Sequence, residues 1–498
     1  MSWGMIDVET TELKHGEIPR TLFWGLATEN GDYRSFDSTD ELCRYLFSLP
    51  EPLDLLHHTN YDVIQMLLDG ANVKLIRNHS GKLIWSKIGQ HNLFNSYAMF
   101  PCPLSTIFGA LGKSKTGLDD LRKRNYEDCV YGLRGCIVLD ETFQRLCGES
   151  PLERHTIAST SFNSAVARAG KMPIDLAHEQ SRRGGRVEVF STNEVLADKY
   201  DINSSYSFSF LDAPPIVTLL HCLVKTDEWY GPFFDAGNPD SLTFPNGSFE
   251  TWIFDDVLQR YIEPVKASIT ILERIRIDMT WIKACCPLIT EVYQTKMKSA
   301  KYSAEEIVAK FFLNSLYGRL ALKGYSDRAR ILNYVPWRDN NVAVQLGWDK
   351  WLVWDTITYT PKANFPFASY ITCNARGRWF QQARRCSADY GDTDSLVISS
   401  GIPPVTVSPL IGDWKFEGSE VFKANNLKDY YWGSVRSVKG ARLDSEGKTI
   451  STQWTLKRAV KGLPVVTLEK DYSMTLQKRL MLDNGSTQPL QVNYEHEH

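Results

Sequence analysis

The sequence predicts a multidomain protein that mixes helices and strands. Three observations lead there. The chain has 498 residues, more than one hydrophobic core usually holds. Alternating, β-leaning runs and amphipathic helical stretches recur along it. Carboxylates at the ends of apolar runs fall into two sets, one early and one beyond the middle.

Apolar residues make up 43% of the chain and charged residues 23%, the balance of an ordinary globular protein. No apolar run is long enough to span a bilayer. The opening MSWGMIDVETTE lacks the basic and apolar regions of a secretory signal, so no membrane partner is expected. The cysteines are scattered without a CxxC pair and the histidines show no HExxH, which argues against zinc chemistry. Cys285 and Cys286 read as small buried hydrophobes, and the expected setting is reducing, intracellular and cytoplasmic. The closing YEHEH reads as a tail. A net charge of −3 speaks against a nucleic-acid partner, but averages hide patches. Lys423 to Lys461 carries nine Lys/Arg against three Asp/Glu, and Arg182, Arg183 and Arg186 form a second basic knot.

The elements follow in order. In "GMIDVETTE", Asp7 and Glu9 stand two apart in a β-leaning run, so both leave one face of a strand. "LLHHTNYDVIQM" ends an apolar run at Asp62, and "CIVLDETFQRL" puts Asp140 on an amphipathic helix. A DxE pair alone is common by chance. Four carboxylates from separate elements could hold two metal ions and activate a water against a phosphodiester. In "EVLADKYDINSSYSFSF" a strand-like run ends at Asp201, with Tyr206 five residues on. "AKFFLNSLYGRLALK" reads as a helix whose Lys310, Asn314 and Tyr317 share one face, followed by Gly318 where a backbone is closely approached. Such a face suits a nucleoside triphosphate, although a core helix with a snorkelling lysine gives the same pattern. In "RRCSADYGDTDSLVISS", Asp392 and Asp394 repel each other across one threonine unless a divalent metal neutralises them.

Asp201 with Tyr206, then Lys310-x3-Asn314-Ser315-x-Tyr317-Gly318, then Tyr390-Gly-Asp392-Thr-Asp394-Ser395 resembles the three polymerase motifs of family B DNA polymerases. The finer resemblance is to the protein-primed branch of small phages and linear mobile elements, and it covers nearly the whole chain. "SRRGGR" is similar to the branch's YxGG linker, with Gly184 and Gly185 present and Arg182 where tyrosine is usual. "SYAMFPCPL" resembles its (S/T)Lx2h exonuclease segment, with Ser96 and Tyr97. Lys115 stands where the branch has an exonuclease lysine. Thr372-x2-Ala375-Arg376 and Lys428-x-Tyr430 resemble its Tx2GR/A and KxY motifs.

The resemblance implies an α/β and α+β multidomain fold: an RNase H-like 3′–5′ exonuclease domain followed by a right-hand (palm, fingers, thumb) polymerase domain. The implied divisions are exonuclease 1–165, linker 166–190, palm with a compact first insertion 191–290, fingers 291–325, second insertion 326–371, palm 372–420 and thumb 421–498. Arg319 to Ile371 spans 53 residues, far more than other family B enzymes use there. Its alternating "NVAVQLGW" and "WLVWDTITYT" read as β-hairpin. In the branch such an insertion encircles DNA and gives strand displacement.

The implied activity is addition of dNTPs to a primer 3′-hydroxyl, with proofreading, using two Mg²⁺ per site (Mn²⁺ can substitute). Asp201, Asp392 and Asp394 would hold metal for synthesis, and Asp7, Glu9, Asp62 and Asp140 for hydrolysis, with Lys115 at the scissile phosphate. Lys298 and Lys310 would meet the triphosphate. Tyr206, Asn314, Tyr317, Gly318 and Tyr390 would surround the nucleotide. Thr372, Arg376, Lys428 and Tyr430 would hold the primer, Gly184 and Gly185 the linker's DNA contact, and Thr10, His58, Tyr61, Ser96 and Tyr97 the frayed 3′ strand. The implied partners are primer–template DNA and a terminal protein primer, the enzyme itself being a monomer. Two departures bear on proofreading. His58 replaces the asparagine four before Asp62, and Cys136 replaces the tyrosine four before Asp140, which implies a weakened nuclease or one using Tyr131. Alternative readings are a polymerase primed by nucleic acid or needing no primer, a nuclease with an inactive polymerase module, and a non-catalytic DNA-binding scaffold.

Overall fold

The structure, a computed structural model, describes residues 2–11, 19–79, 82–115, 120–228, 233–237, 243–261, 266–322, 325–332, 342–345, 351–358, 361–438, 442–443, 449–453, 466–469, 479–484 and 486–493.

Ser2–Thr10 is buried through most of its length and lies inside a seven-stranded sheet. The order is Tyr33–Phe36, Thr21–Thr28, Ser2–Thr10, Leu53–His57, His91–Asn95, Lys82–Ile88, Val73–His79. Ser2–Thr10 pairs in parallel with Leu53–His57, and that strand in parallel with His91–Asn95, while the outer pairs are antiparallel. Parallel neighbours need crossover connections, which the helices Thr39–Ser48 and Asn60–Leu68 help supply. Asn60–Leu68 starts where the Thr59 side chain accepts from the Tyr61 N–H, putting Asp62 in its first turn.

Leu121–Cys147 crosses beside this sheet as a helix about 40 Å long. Its N-cap, Asp120, accepts from the N–H groups of Arg122 and Lys123 at 2.9 and 3.2 Å. The helix Ala304–Leu320 packs along it, with the Phe143 and Phe312 rings 6.4 Å apart. One continuous core therefore runs from Met5, Phe108 and Leu139 to Leu219, Ile289, Phe312 and Trp379.

A second seven-stranded sheet is antiparallel throughout. Its order is Val435–Val438, Asp429–Trp432, Trp414–Asn426, Val195–Ile202, Ser395–Ile398, Tyr390–Asp392, Val187–Val189. Helices Ser205–Asp212, Thr280–Lys298, Ala304–Leu320 and Phe365–Arg385 pack on one another next to it. A four-stranded sheet orders Ala267–Asp278, Ile216–Thr226, Asn246–Phe254 and Gln491–Asn493, so the C-terminal strand closes onto a sheet begun far upstream.

The hairpin expected after the helix at 304–320 is present. Val342–Gln345 and Tyr325–Leu332 both pair antiparallel with Trp351–Thr358. Residues 333–341, 346–350 and 359–360 of that expected insertion lie outside the described residues, as do Lys439, Lys448, Lys457, Arg458 and Lys461 of the basic C-terminal stretch. Among the described residues no helix is long and apolar enough to cross a membrane.

Candidate functional site

Two clusters of acidic side chains form, one on each large sheet. In the second sheet Tyr390–Asp392 and Ser395–Ile398 make a hairpin in which Asp392 pairs with Ser395. Thr393 and Asp394 form its tip. Ser395 is also the register partner of Asp201 on Val195–Ile202, and the Ile202 N–H donates to the Asp394 carbonyl at 2.8 Å. The pairing brings Asp201 and Asp394, 193 positions apart in sequence, to one end of the sheet. Burial, then the Asp394 charge, pushes the Asp201 carboxyl up from 3.8 to about 7. Burial, then Asp392, pushes Asp394 up to about 6. Asp392 is handled differently. The Lys428 ammonium lies 2.9 Å from its Oδ1, and the Thr393 hydroxyl donates to that oxygen at 2.9 Å.

Thr393 adopts φ +62°, a left-handed conformation unfavourable for a β-branched residue. It is held there by its N–H donating to the Arg186 carbonyl at 2.6 Å. Gly185 faces it, and a Cβ at that position would stand 2.7 Å from Thr393 Oγ1. Gly184 has open space, and its carbonyl accepts from Arg376 Nη1 at 3.4 Å. Arg376 itself is buried and ion-paired to Asp235 at 3.1 Å, a carboxylate that Arg183 also engages.

Tyr206, on Ser205–Asp212, stacks on Tyr317 with centroids 4.8 Å apart and planes 30° apart. Burial raises both hydroxyls, and Tyr317 is hydrogen-bonded to Thr372. Thr372 is buried and also donates to the Ala368 carbonyl at 3.1 Å. Lys310, Asn314 and Gly318 are exposed on Ala304–Leu320. Lys428 is held at φ +56° with its N–H donating to the Tyr390 hydroxyl at 3.1 Å, and Tyr430 lies 5.4 Å from the Tyr390 ring.

The sequence reading named Lys298 as the second phosphate lysine, and the structure leaves it exposed. Lys296 is the one turned inward. Its ammonium donates to Ser204 Oγ at 3.3 Å, and its pKa is lowered by burial and then by the charge of Lys310, with Asp201 pulling the other way. Residues two apart on a helix point about 200° apart, so Lys296 and Lys298 leave the helix in different directions. The usable signal was Tyr293 and Lys296, three apart and on one face.

In the first sheet Asp7 is half-buried, and its carboxyl is held well above its ordinary value by burial, then by Asp62, Asp128 and Glu9. Burial lifts Asp62 to about 7, although the Val8 N–H donates to its Oδ1 at 3.2 Å. Asn125 Nδ2 donates to Asp7 Oδ2 at 2.8 Å. Arg124 makes a forked ion pair with Glu9, its Nε 3.1 Å from Oε1. Lys115 Nζ lies 2.6 Å from Asp128 Oδ2.

Asp128, which the sequence reading passed over, thus stands with Asp7, Glu9 and Asp62, and Asp140 does not. Asp140 lies twelve residues further along the same helix, about 18 Å away. It accepts from the Ser150 hydroxyl at 2.7 Å and the Leu152 N–H at 2.9 Å, capping the helix Pro151–Arg154. The replacement of tyrosine by Cys136 therefore loses its relevance. The residue four before Asp128 is Arg124. Tyr61 and Thr10 share a hydrogen bond of 2.8 Å beside this cluster. His58 Nδ1 lies 3.0 Å from Ser96 Oγ and its ring meets Tyr97 edge-on at 5.9 Å. Burial and then the Lys115 charge lower His58 to about 4, so it is neutral at pH 7.

Among the described residues no three His, Cys, Asp or Glu side chains converge tightly enough to hold an ion alone. The second-sheet pair fits a different kind of metal site, where one or two carboxylates bind Mg²⁺ and substrate phosphates complete the shell. Two half-buried, mutually repelling acids are the donors such a site needs.

No protein-family model matches the chain, and no curated protein does. Solved structures do. Phi29 DNA polymerase complexed with primer-template DNA and incoming nucleotide substrates superposes with a TM-score of 0.69 at 16% identity, over 94% of this chain and 98% of that one. Its complex with primer-template DNA in a post-translocation state also gives 0.69 at 16% identity, over 95% and 100%. A complex with single-stranded DNA gives 0.65 at 16% identity, over 96% and 93%. The resemblance expected from the motifs is thereby met at the level of fold, across nearly the whole chain.

Proposed function

We propose that the chain is a template-directed DNA polymerase that adds dNTPs to a primer 3′-hydroxyl and carries a 3′–5′ exonuclease in its first domain. The observation that carries this reading is the meeting of Asp201 and Asp394 beside the Tyr206–Tyr317 stack and the Lys296–Lys310 pair. In this reading the second sheet is the palm, Thr280–Lys298 and Ala304–Leu320 are the fingers, and the basic C-terminal region is the thumb.

Mg²⁺, held by Asp201 and Asp394, would supply neutralisation of phosphate charge and activation of the 3′-hydroxyl. The rest falls to this chain's side chains. Lys310 and Lys296 receive the triphosphate, where a fixed ammonium strengthens its hold as water leaves. Tyr206, backed by Tyr317, forms a wall under the sugar that a 2′-hydroxyl would strike. Asn314 and Gly318 leave room for the nascent pair. The Lys428–Asp392 ion pair keeps the hairpin tip from splaying under its own charge. Thr372 and Arg376, being buried, act on the primer through the backbones they hold, while Tyr430 stays partly open to it. In the first domain Asp7, Glu9, Asp62 and Asp128 would hold metal together with substrate phosphate, Lys115 would face the scissile phosphate, and Tyr61, Thr10, Ser96, Tyr97 and His58 would grip the frayed strand. A terminal protein supplies the priming hydroxyl, and the insertion after Leu320 encircles DNA to displace the non-template strand.

The test is extension of one labelled primer on a circular single-stranded template with Mg²⁺ and four dNTPs, comparing wild type with Asp394→Asn. Products longer than the circle, absent in the variant, support synthesis with displacement. Short products keep synthesis and remove displacement. Degradation of the 3′ end without extension overturns the polymerase reading.

A further inference from the structure

The candidate catalytic hairpin is tied to the far C-terminal segment through three charged side chains that are almost entirely buried. Glu188 sits on Val187–Val189, the edge strand that pairs with Tyr390–Asp392, with Glu188 opposite Gly391. Its Oε1 accepts from Arg186 Nε at 2.7 Å. Its Oε2 lies 3.0 Å from Arg479 Nε and accepts from the Thr487 hydroxyl at 2.7 Å. Arg186, Glu188 and Arg479 are each no more than 2% exposed. The Arg186 guanidinium also lies over the Phe244 ring at 4.1 Å. Beyond Thr487, Gln491–Asn493 pairs in parallel with Asn246–Ser248, which anchors the segment to a second sheet.

Burying two guanidiniums and one carboxylate costs several kcal/mol of hydration per ion and is an inefficient source of stability. What it supplies is a fixed geometry. The Arg186 carbonyl is the acceptor that holds Thr393 in its left-handed conformation, and Thr393 separates Asp392 from Asp394. Motion of Arg186 therefore reaches the hairpin tip through one hydrogen bond.

We propose that the segment Arg479–Asn493 is a positioning clasp for the carboxylate hairpin: Arg479 and Thr487 orient Glu188, Glu188 fixes Arg186, and Arg186 sets Thr393 and hence the spacing of Asp392 from Asp394. The proposal rests on the polymerase reading for its kinetic consequence but not for its structural one. Arg479, Glu188 and Arg186 are positioning residues and none meets substrate.

The experiment uses the full chain with Arg479→Met, Arg479→Lys and the milder Thr487→Val, each first checked for a cooperative thermal transition. Amide hydrogen exchange over residues 386–396 is the first readout. Faster exchange in that stretch in Arg479→Met and Thr487→Val, with the first sheet's exchange unchanged, supports the clasp. Unchanged exchange overturns it, whatever the enzyme does. Single-nucleotide addition is the second readout. The expected result is a fall in kcat of about 10–100-fold, primer–template Kd within about threefold, and partial recovery in Arg479→Lys. A loss carried by DNA affinity alone overturns the clasp in favour of a DNA-contact role. If Arg479→Met does not fold, Thr487→Val decides by the same two readouts. A wild type that adds no nucleotide refutes the polymerase reading and leaves the exchange result to judge the clasp.

Discussion

Replacing Asp201 with asparagine in metal-free protein tests the electrostatics of the hairpin site without relying on turnover. Burial and the Asp394 charge place the Asp201 carboxyl at about 7 in the folded chain, against an ordinary 3.8. Between those values the folded chain holds a proton that the unfolded chain has released. The contribution of Asp201 to wild-type stability therefore falls as pH rises from about 4 to about 7, and levels off above. The span from pH 5 to pH 7 corresponds to about 2.7 kcal/mol, at about 1.36 kcal/mol per unit. Asp201→Asn removes that slope. A chain of 498 residues unfolds with an entropy of about 1 kcal/mol/K. The gain in Tm of the variant over wild type should then be about 2–3 °C larger at pH 8 than at pH 5. Calorimetry in EDTA measures it. Millimolar Mg²⁺ should raise the wild-type Tm at pH 8 and leave the variant nearly unmoved, because only the wild type keeps both acids. A gain equal at both pH values refutes the reasoning, since Asp201 would then be ionised throughout, neutralised by Lys199 and Lys415.

Three further predictions separate neighbouring residues by role. Asp128→Asn should abolish 3′-end degradation on a labelled strand. Asp140→Asn should keep it and instead lower stability by about 1–2 kcal/mol by weakening the cap on Pro151–Arg154, read by urea titration. Gly185→Ala places a methyl group 2.7 Å from Thr393 Oγ1 and should cut kcat for nucleotide addition by about 10–100-fold, measured by steady-state kinetics. Lys296→Met should raise the dNTP KM by about tenfold, the loss of a charge-assisted contact, while the exposed Lys298→Met leaves it within about twofold.

The polymerase-like motifs were legible because each is local. Asp201, the 310–318 helix face and the Asp392–Asp394 turn are each contained in a few residues, and strand or helix periodicity sets which way their side chains point. The helix Leu121–Cys147 was not legible in the same way. Over 27 residues of one helix, Asp128 and Asp140 both follow basic and apolar residues in patterns that periodicity accepts. Only the crossing of that helix over Ser2–Thr10 decides which one meets Asp7, and that crossing is a tertiary fact. Arg376 failed to show its burial for a related reason. An arginine on a helix reads as a surface charge until its partner is known, and Asp235 lies 141 positions away in a stretch without any motif. The C-terminal clasp was invisible for the same cause, since Glu188 and Thr487 are 299 positions apart.

The two acidic clusters both hold carboxyls raised by burial and mutual charge, and they differ in where the chain places its cations. On the first sheet the chain supplies its own cations: Arg124 to Glu9 and Lys115 to Asp128. A dication entering there must displace a guanidinium or an ammonium, so its binding is opposed by groups that can turn to a phosphate once DNA is present. Arg124, partly exposed, is placed for that exchange. On the second sheet Lys428 forms its ion pair with Asp392, next to the hairpin tip, and only eases the charge of Asp394. Asp394 at the tip and Asp201 opposite are left to repel each other and are pushed toward protonation. Repulsion that Lys199, Lys415 and Lys428 only partly offset makes metal binding favourable before DNA arrives. The hairpin site should therefore fill at lower divalent concentration than the first-sheet site, and the order of filling follows from where Lys428, Arg124 and Lys115 stand.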